Sequence, residues 1–328
     1  MPVLRSLEPL RVVHGGRLWV HGDGFPTPAA SAKDVTIGGV AARISFADPG
    51  RLAVVVPENV EGGESPVKVS WAPGATLYAQ VARRLATGFH QVDNPVIGAD
   101  GEVYVTYSGA RGQQAPVSIF RVTADGAREP FVHGLVNATS MVPGPDGQLF
   151  VSSRFEGRVY RVFPDGRHEV VGSDLGIATG LALGPEGALY VGDRTGTIFR
   201  IDTHGRTDTV ATLPGSMAAF HLAFGPDGWL YVAGPTLSTY DTLRRVHPDG
   251  RVEPLPWIFG RPQGLAFDAA GVLHVVEALA GSSGVVALAP GRPPALVVSG
   301  PGLVGLAFGA DGTMVVVSND SLYGFGLS

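Results

Sequence analysis

The sequence predicts an all-β chain in two parts, a small β-sandwich followed by a six-bladed β-propeller with four-stranded blades, and three observations carry that prediction. One phrase, close to L-A-x-G-x-D-G-x-L-Y-V, recurs six times from residue 95 onward. A second, hairpin-like phrase sits between the copies, and residues 1–82 keep a different rhythm of short alternating runs broken by Gly and Pro.

The phrase reads PVIGADGEVYV at 95–105, MVPGPDGQLFV at 141–151, LALGPEGALYV at 181–191, LAFGPDGWLYV at 222–232, LAFDAAGVLHV at 265–275 and LAFGADGTMVV at 306–316. Its turn glycines, Gly101, Gly147, Gly187, Gly228, Gly271 and Gly312, are 46, 40, 41, 43 and 41 residues apart, the period of one four-stranded blade. The intervening phrases are IFRVTADGAREPF at 119, VYRVFPDGRHEVV at 159, IFRIDTHGRTDTV at 198 and LRRVHPDGRVEPL at 243. Each carries an X-Gly turn flanked by β-branched and aromatic residues, which is a hairpin signal. Second strands such as Val272 to Val276 are apolar almost throughout, as expected of strands covered on both faces. The last repeat shows only three strands before the chain ends, so its fourth must come from elsewhere. Val81 to Leu85, just ahead of the first repeat, is placed to supply it and to close a ring whose open edges would otherwise invite aggregation.

Composition narrows the function classes. The chain has 328 residues, 45% hydrophobic and 16% charged, with 47 Gly and 26 Pro, which excludes disorder and long helices. It lacks cysteine, which removes disulfides, thiolate metal sites and cysteine nucleophiles. Its formal charge of -5, with Lys33 and Lys68 as the only lysines, leaves no basic tract for nucleic acid. No leader-like or membrane-spanning apolar run is visible, so the sequence as written reads as cytoplasmic, although a trimmed secreted form would look the same. No G-x-S-x-G, H-E-x-x-H, Walker or dinucleotide fingerprint occurs, and the nine histidines form no close ligand pair. HGDGF at 21–25 is read as a sandwich turn because no helix follows it.

Any site must therefore be assembled from single residues of successive blades. Counted from each turn glycine, position minus eight reads Asp93, Thr139, Thr179, Phe220, Gln263 and Val304, and position minus seven reads Asn94, Ser140, Gly180, His221, Gly264 and Gly305. Position plus six brings Asp193 and Glu277, with Arg154 and Arg194 beside them. Both sets belong at one face of the ring, because a blade's first strand starts where its second ends. The candidate ligand-binding set is Asp93, Asn94, Thr139, Thr179, His221 and Gln263, rimmed by Arg154, Asp193 and Glu277. Within it Asp193 is expected to pair with arginine and Asp93 with water, and loss of the Asp93 and Gln263 side chains is expected to leave folding nearly intact.

In the first 82 residues, an opening Pro9, Gly15-Gly16 before an alternating strand, G-D-G-F, V-T-I-G-G-V-A-A at 35–42 and V-P-E at 56–58 resemble the IPT/TIG immunoglobulin-like family. The resemblance implies an immunoglobulin-like sandwich over 1–82 that serves as a docking piece. With seven basic and seven acidic residues, that segment is not expected to hold nucleic acid. Residues 83–328 resemble the NHL-repeat and senescence-marker/gluconolactonase superfamily, which implies six four-stranded blades around an axial site. Lactonases of that kind hold a divalent cation, usually calcium, on the axis. At the matching phrases ATGL (178–181), PQGL (262–265) and LVGL (303–306), this chain has Thr179, Gln263 and Val304, and only Asp93 offers a carboxylate. The expected function is thus a non-catalytic propeller binding a small molecule or protein at its axial face, without a cofactor and without membrane or nucleic-acid partners. The alternative is a divergent hydrolase or lyase acting on a small lactone or ester, with a cation such as calcium.

Overall fold

The computed structural model describes residues 2–26, 34–279 and 283–326. Its N-terminal part is an immunoglobulin-like sandwich. One sheet orders Val3–Glu8, Arg17–Asp23, Arg51–Val55 and Arg43–Asp48; facing it run Arg11–Val12, Leu77–Val81, Gly63–Val69, Val35–Ile37 and Val40–Ala41. Alternation makes this core: Leu18, Val20 and Gly22 of Arg17–Asp23 point inward while the residues between them reach the surface. Leu18, Ile37, Leu52 and Val67 are fully buried at the sandwich centre.

Six antiparallel blades follow, spanning 96–132, 138–172, 178–212, 221–259, 262–299 and 303–325. The second strands Leu149–Ser153, Leu189–Asp193 and Leu273–Glu277 are buried along their whole length, including their polar ends Ser153, Asp193 and Glu277. Each copy of the turn glycine adopts positive φ, from 72° at Gly147 to 85° at Gly312, a conformation that side chains with a Cβ resist. The rest of the phrase has its own physical reason. Tyr104, Tyr190 and Tyr231 direct their hydroxyls to the turn carboxylates Asp100, Glu186 and Asp227 at 2.8–2.9 Å. Two of these rings also pack edge-on against the next blade, Tyr190 on Phe224 and Tyr231 on Phe267. In the fifth blade His274 takes that place and packs on Phe308.

Closure uses Arg83–Thr87, which pairs antiparallel with Ser321–Phe325 as the outer strand of the last blade. This is two residues beyond the segment read from the sequence. Val81 is already committed to the sandwich, where it ends the strand Leu77–Val81. We propose residue 82 as the division between the two parts.

The two parts share a sheet, which the sequence did not foretell. Arg11–Val12 lies parallel to Leu77–Val81 on one side and to Ala295–Ser299, the outer strand of the fifth blade, on the other. Sandwich and blade thereby join in one nine-stranded sheet. The Val13 amide donates to the Ser299 carbonyl at 2.9 Å, and the Val13 side chain packs with Val298 and Leu303 in the propeller core.

Two predictions follow from these contacts. A chain shortened to begin at Asp93 lacks the closing strand and is expected to show no cooperative thermal melt. One beginning at Ala75 keeps that strand but uncovers the edge Ala295–Ser299, so it is expected to melt cooperatively, below the full chain, and to self-associate on size exclusion. Equal melts for the two shortened chains would overturn the closure. The second prediction concerns pH. Burial holds His274 below its ordinary pKa of 6.5, and burial does the same to His90, with Arg154 adding to it. The folded state thus favours neutral rings, the unfolded chain binds more protons below about pH 6.5, and stability falls as pH drops through that window. His274→Tyr, which restores the repeat residue, is expected to shrink the difference in urea midpoint between pH 7.5 and 5.5. An unchanged difference would count against His274 as a source.

Candidate ligand-binding site on the propeller axis

The inner strands run from one face of the ring toward the other, so repeat position sets depth along the axis. Near the entrance, Thr139, Thr179 and Gln263 border a cavity of about 370 Å³. Gln91 and Asn319 also line it, and three arginines, Arg154, Arg194 and Arg261, complete its polar wall. No carboxylate is among the lining residues. Thr139 and Thr179 use their hydroxyls on backbone, Thr139 donating to the Asn137 carbonyl at 2.8 Å and Thr179 to that of Gly192 at 3.1 Å.

One step deeper the channel is filled. His221 is fully buried, and its Nδ1 lies 2.5 Å from Oδ1 of Asp93, itself buried. That carboxylate oxygen also accepts the Asn94 amide at 2.8 Å, whereas His221 Nε2 has no partner among the described residues. Asn94 staples two blades together: Nδ2 donates to the Leu265 carbonyl at 2.8 Å and Oδ1 accepts the Leu306 amide at 3.0 Å. Such filling demands glycine from the other blades. A Cβ on Gly264 would sit 2.2 Å from Asn94 Oδ1, and one on Gly305 would sit 2.5 Å from the Asp93 carbonyl. The second mouth of the ring, beyond this layer, is apolar and lined by residues such as Leu183, Phe224, Phe267 and Phe308.

Several expectations are corrected here. Asp93, expected to meet water, instead meets His221, which the first strand of the fourth blade carries into the same layer. Asp193 does not pair with arginine: its Oδ1 accepts the amides of Ile177 and Thr195 at 2.8 and 3.2 Å, and its Oδ2 accepts the Thr195 hydroxyl. Glu277 likewise accepts the amides of Gly260, Arg261 and Leu279 at 2.6–2.8 Å. Local amides reach both carboxylates before any long side chain does, and the filled lone pairs take both groups out of the cavity wall. Asp193 and Glu277 thus hold the strand-entry loops, while Asn94 and the His221–Asp93 pair form the floor's support.

Without acidic partners, the rim is strongly cationic. Arg154 donates Nη2 to the Gly109 carbonyl at 3.0 Å, but its Nε is buried without a partner. Burial first, then the charges of Arg194 and Arg111, hold its pKa below the usual guanidinium range. Arg194 donates Nε to the Ser216 carbonyl at 3.2 Å. Arg261 and Gln91 escaped the reading of repeat positions. Both stand at position minus ten from their turn glycines, two residues upstream of the positions compared, where a wider window would have shown them departing from Ile177, Ala218 and Gly302.

A divalent cation of the kind lactonases hold does not fit this donor set. Such ions take several hard oxygen ligands, carboxylates among them. The cavity offers hydroxyls, amides and three guanidiniums, and no cluster of three His, Asp or Glu suited to a metal occurs among the described residues.

Solved structures with this architecture settle the fold. It is a six-bladed β-propeller joined to an immunoglobulin-like sandwich. A gluconolactonase from Xanthomonas campestris is 17% identical over 74% of this chain and 89% of its own, with a TM-score of 0.58. An auxiliary nutrient binding protein from Bacteroides thetaiotaomicron is 13% identical over 99% of this chain and 97% of its own, at 0.56. Virginiamycin B lyase from Staphylococcus aureus, in an inactive His-to-Ala form with quinupristin, is 17% identical over 90% and 96%, at 0.54. At these identities the likeness is one of fold. No protein-family model and no curated protein matches the chain.

The buried pair of this propeller yields a prediction. Asp93→Ala strands an imidazole without its partner and is expected to lower unfolding free energy by about 3 kcal/mol. Adding His221→Leu is expected to restore about half of that loss, since an apolar pair leaves no buried polar group without a partner. Urea denaturation measures both, and an Asp93→Ala variant as stable as the parent would refute the pairing.

Proposed function

We propose that this chain is a non-catalytic binding protein whose propeller takes a small anion, a carboxylate or phosphate compound, in the arginine-walled cavity on its axis. The observation that carries this reading is the wall itself, three arginines facing one cavity with no acid among its lining residues. Like charges held together repel, and an anion between them relieves that repulsion while meeting planar donors suited to oxyanions. Arg154, held by an Nη2 bond to the Gly109 carbonyl, presents its guanidinium in that wall. Thr139, Thr179, Gln263 and Asn319 add neutral polar groups that can select for shape.

Two considerations favour binding over turnover. The site lacks a metal ligand set, and its nearest acid–base pair, Asp93 with His221, lies buried beneath the cavity and outside its lining. The described nutrient binding protein, similar over nearly the whole of both chains, agrees with a binding role. In this reading the sandwich acts as a docking piece held in one orientation by the shared sheet. No helix among the described residues is long and apolar enough to cross a membrane.

Calorimetric titration with small carboxylates and phosphate esters, set beside neutral lactones, tests the proposal. Acids are expected to bind and neutral compounds to be ignored. Arg154→Gln combined with Arg194→Gln is expected to weaken binding at least tenfold, the scale of one charge-assisted hydrogen bond at about 1.5–3 kcal/mol. Turnover of a lactone that survives this double change would overturn the reading in favour of a hydrolase.

A further inference from the structure

The propeller's exposed large apolar side chains are distributed unevenly. Phe155, Met217, Leu237, Tyr240, Ile258 and Leu279 all stand on loops or strand ends at the cavity face, and among the described blade residues only Val170 breaks the pattern. Leu237 is 86% exposed and Ile258 69%, values at which a large side chain gains nothing from the protein's own core. They adjoin the cavity through the backbone. Met217 lines it, and the Met217 amide donates at 2.7 Å to the carbonyl of Pro235, at the start of the loop bearing Leu237 and Tyr240. Leu279 follows the lining residue Ala278 and crowds Gly260, which sits between the strand carrying Ile258 and the lining residue Arg261. The result is an apolar sector over the fourth and fifth blades, contiguous with the arginine wall.

We infer that the ligand is an amphipathic acid whose anionic head sits among Arg154, Arg194 and Arg261 and whose apolar body lies across the sector formed by Met217, Leu237, Ile258 and Leu279. This rests on the anion reading above and deepens it. The channel's geometry directs the body sideways. His221 and Asn94 fill the axis below the cavity, so a ligand longer than the cavity cannot continue inward and must leave over the rim. Apolar side chains await it on the side of blades four and five, whereas the first and second blades contribute Phe155. Charge complementarity therefore specifies one end of the molecule, and the exposed sector specifies the other.

Four probes test this by calorimetry below micelle-forming concentrations: butyrate, octanoate, octyltrimethylammonium and vesicles of anionic phospholipid. Each buried methylene raises affinity about fourfold, so burial of about two of the four added methylenes makes octanoate more than tenfold tighter than butyrate. Leu237→Ser with Ile258→Ser, both on the surface, is expected to reduce that ratio below about threefold, with a thermal melt confirming the fold. Equal affinities for butyrate and octanoate would overturn the amphipathic assignment and leave the anion reading standing. Octyltrimethylammonium binding as tightly as octanoate would overturn the anion reading, and this inference with it. Vesicle binding without any chain-length preference among the soluble acids would replace the amphipathic acid with a membrane surface.

Discussion

A ring of blades holds together only if its last sheet is completed, and here completion depends on one antiparallel pair, Arg83–Thr87 against Ser321–Phe325. Every other blade is continuous in sequence and can form from local hairpins. The last one needs a strand from the opposite end of the propeller chain, so its formation coincides with cyclisation. That single long-range pairing brings the first and last inner strands side by side, which in turn lets Asn94 bond Leu306 and lets Gly305 approach Asp93. The axial layer, and the cavity above it, exist only once the ring is shut.

Much of the architecture was legible because its causes are local. Turn glycines need positive φ wherever they occur, and a tyrosine three residues on finds its turn carboxylate within the same hairpin. Six repetitions of such local logic announce six blades. Joining the sandwich to the fifth blade is different in kind. The two-residue strand Arg11–Val12 has no periodicity to detect, and its partner Ala295–Ser299 resembles any outer strand. Parallel pairing across nearly three hundred residues leaves no trace in either segment.

At the site, depth was legible and partnership was not. Comparing repeat positions singled out Thr139, Thr179 and Gln263, which border the cavity proposed as the site. The same comparison put Asp193 and Glu277 on the rim without showing that neighbouring amides would consume their oxygens. His221 carried a readable signal, a large polar ring at the position where Gly180, Gly264 and Gly305 stand in other repeats. A bulky residue amid glycines in a ring of equivalent positions is the mark of something filling the axis. What it could not disclose was which of the other residues would face it.

The shared sheet has a consequence for how such a chain can be altered over evolutionary time. Two parts joined by a flexible linker can be exchanged as cassettes, because neither depends on the other's backbone. Here the sandwich donates a strand to the fifth blade's edge and a valine to the propeller core, so a replacement would have to present a matching strand in the same register and direction. An N-terminal part lacking such a strand would leave the Ala295–Ser299 edge open, and insertions are better accommodated at the blade-tip loops than at the junction.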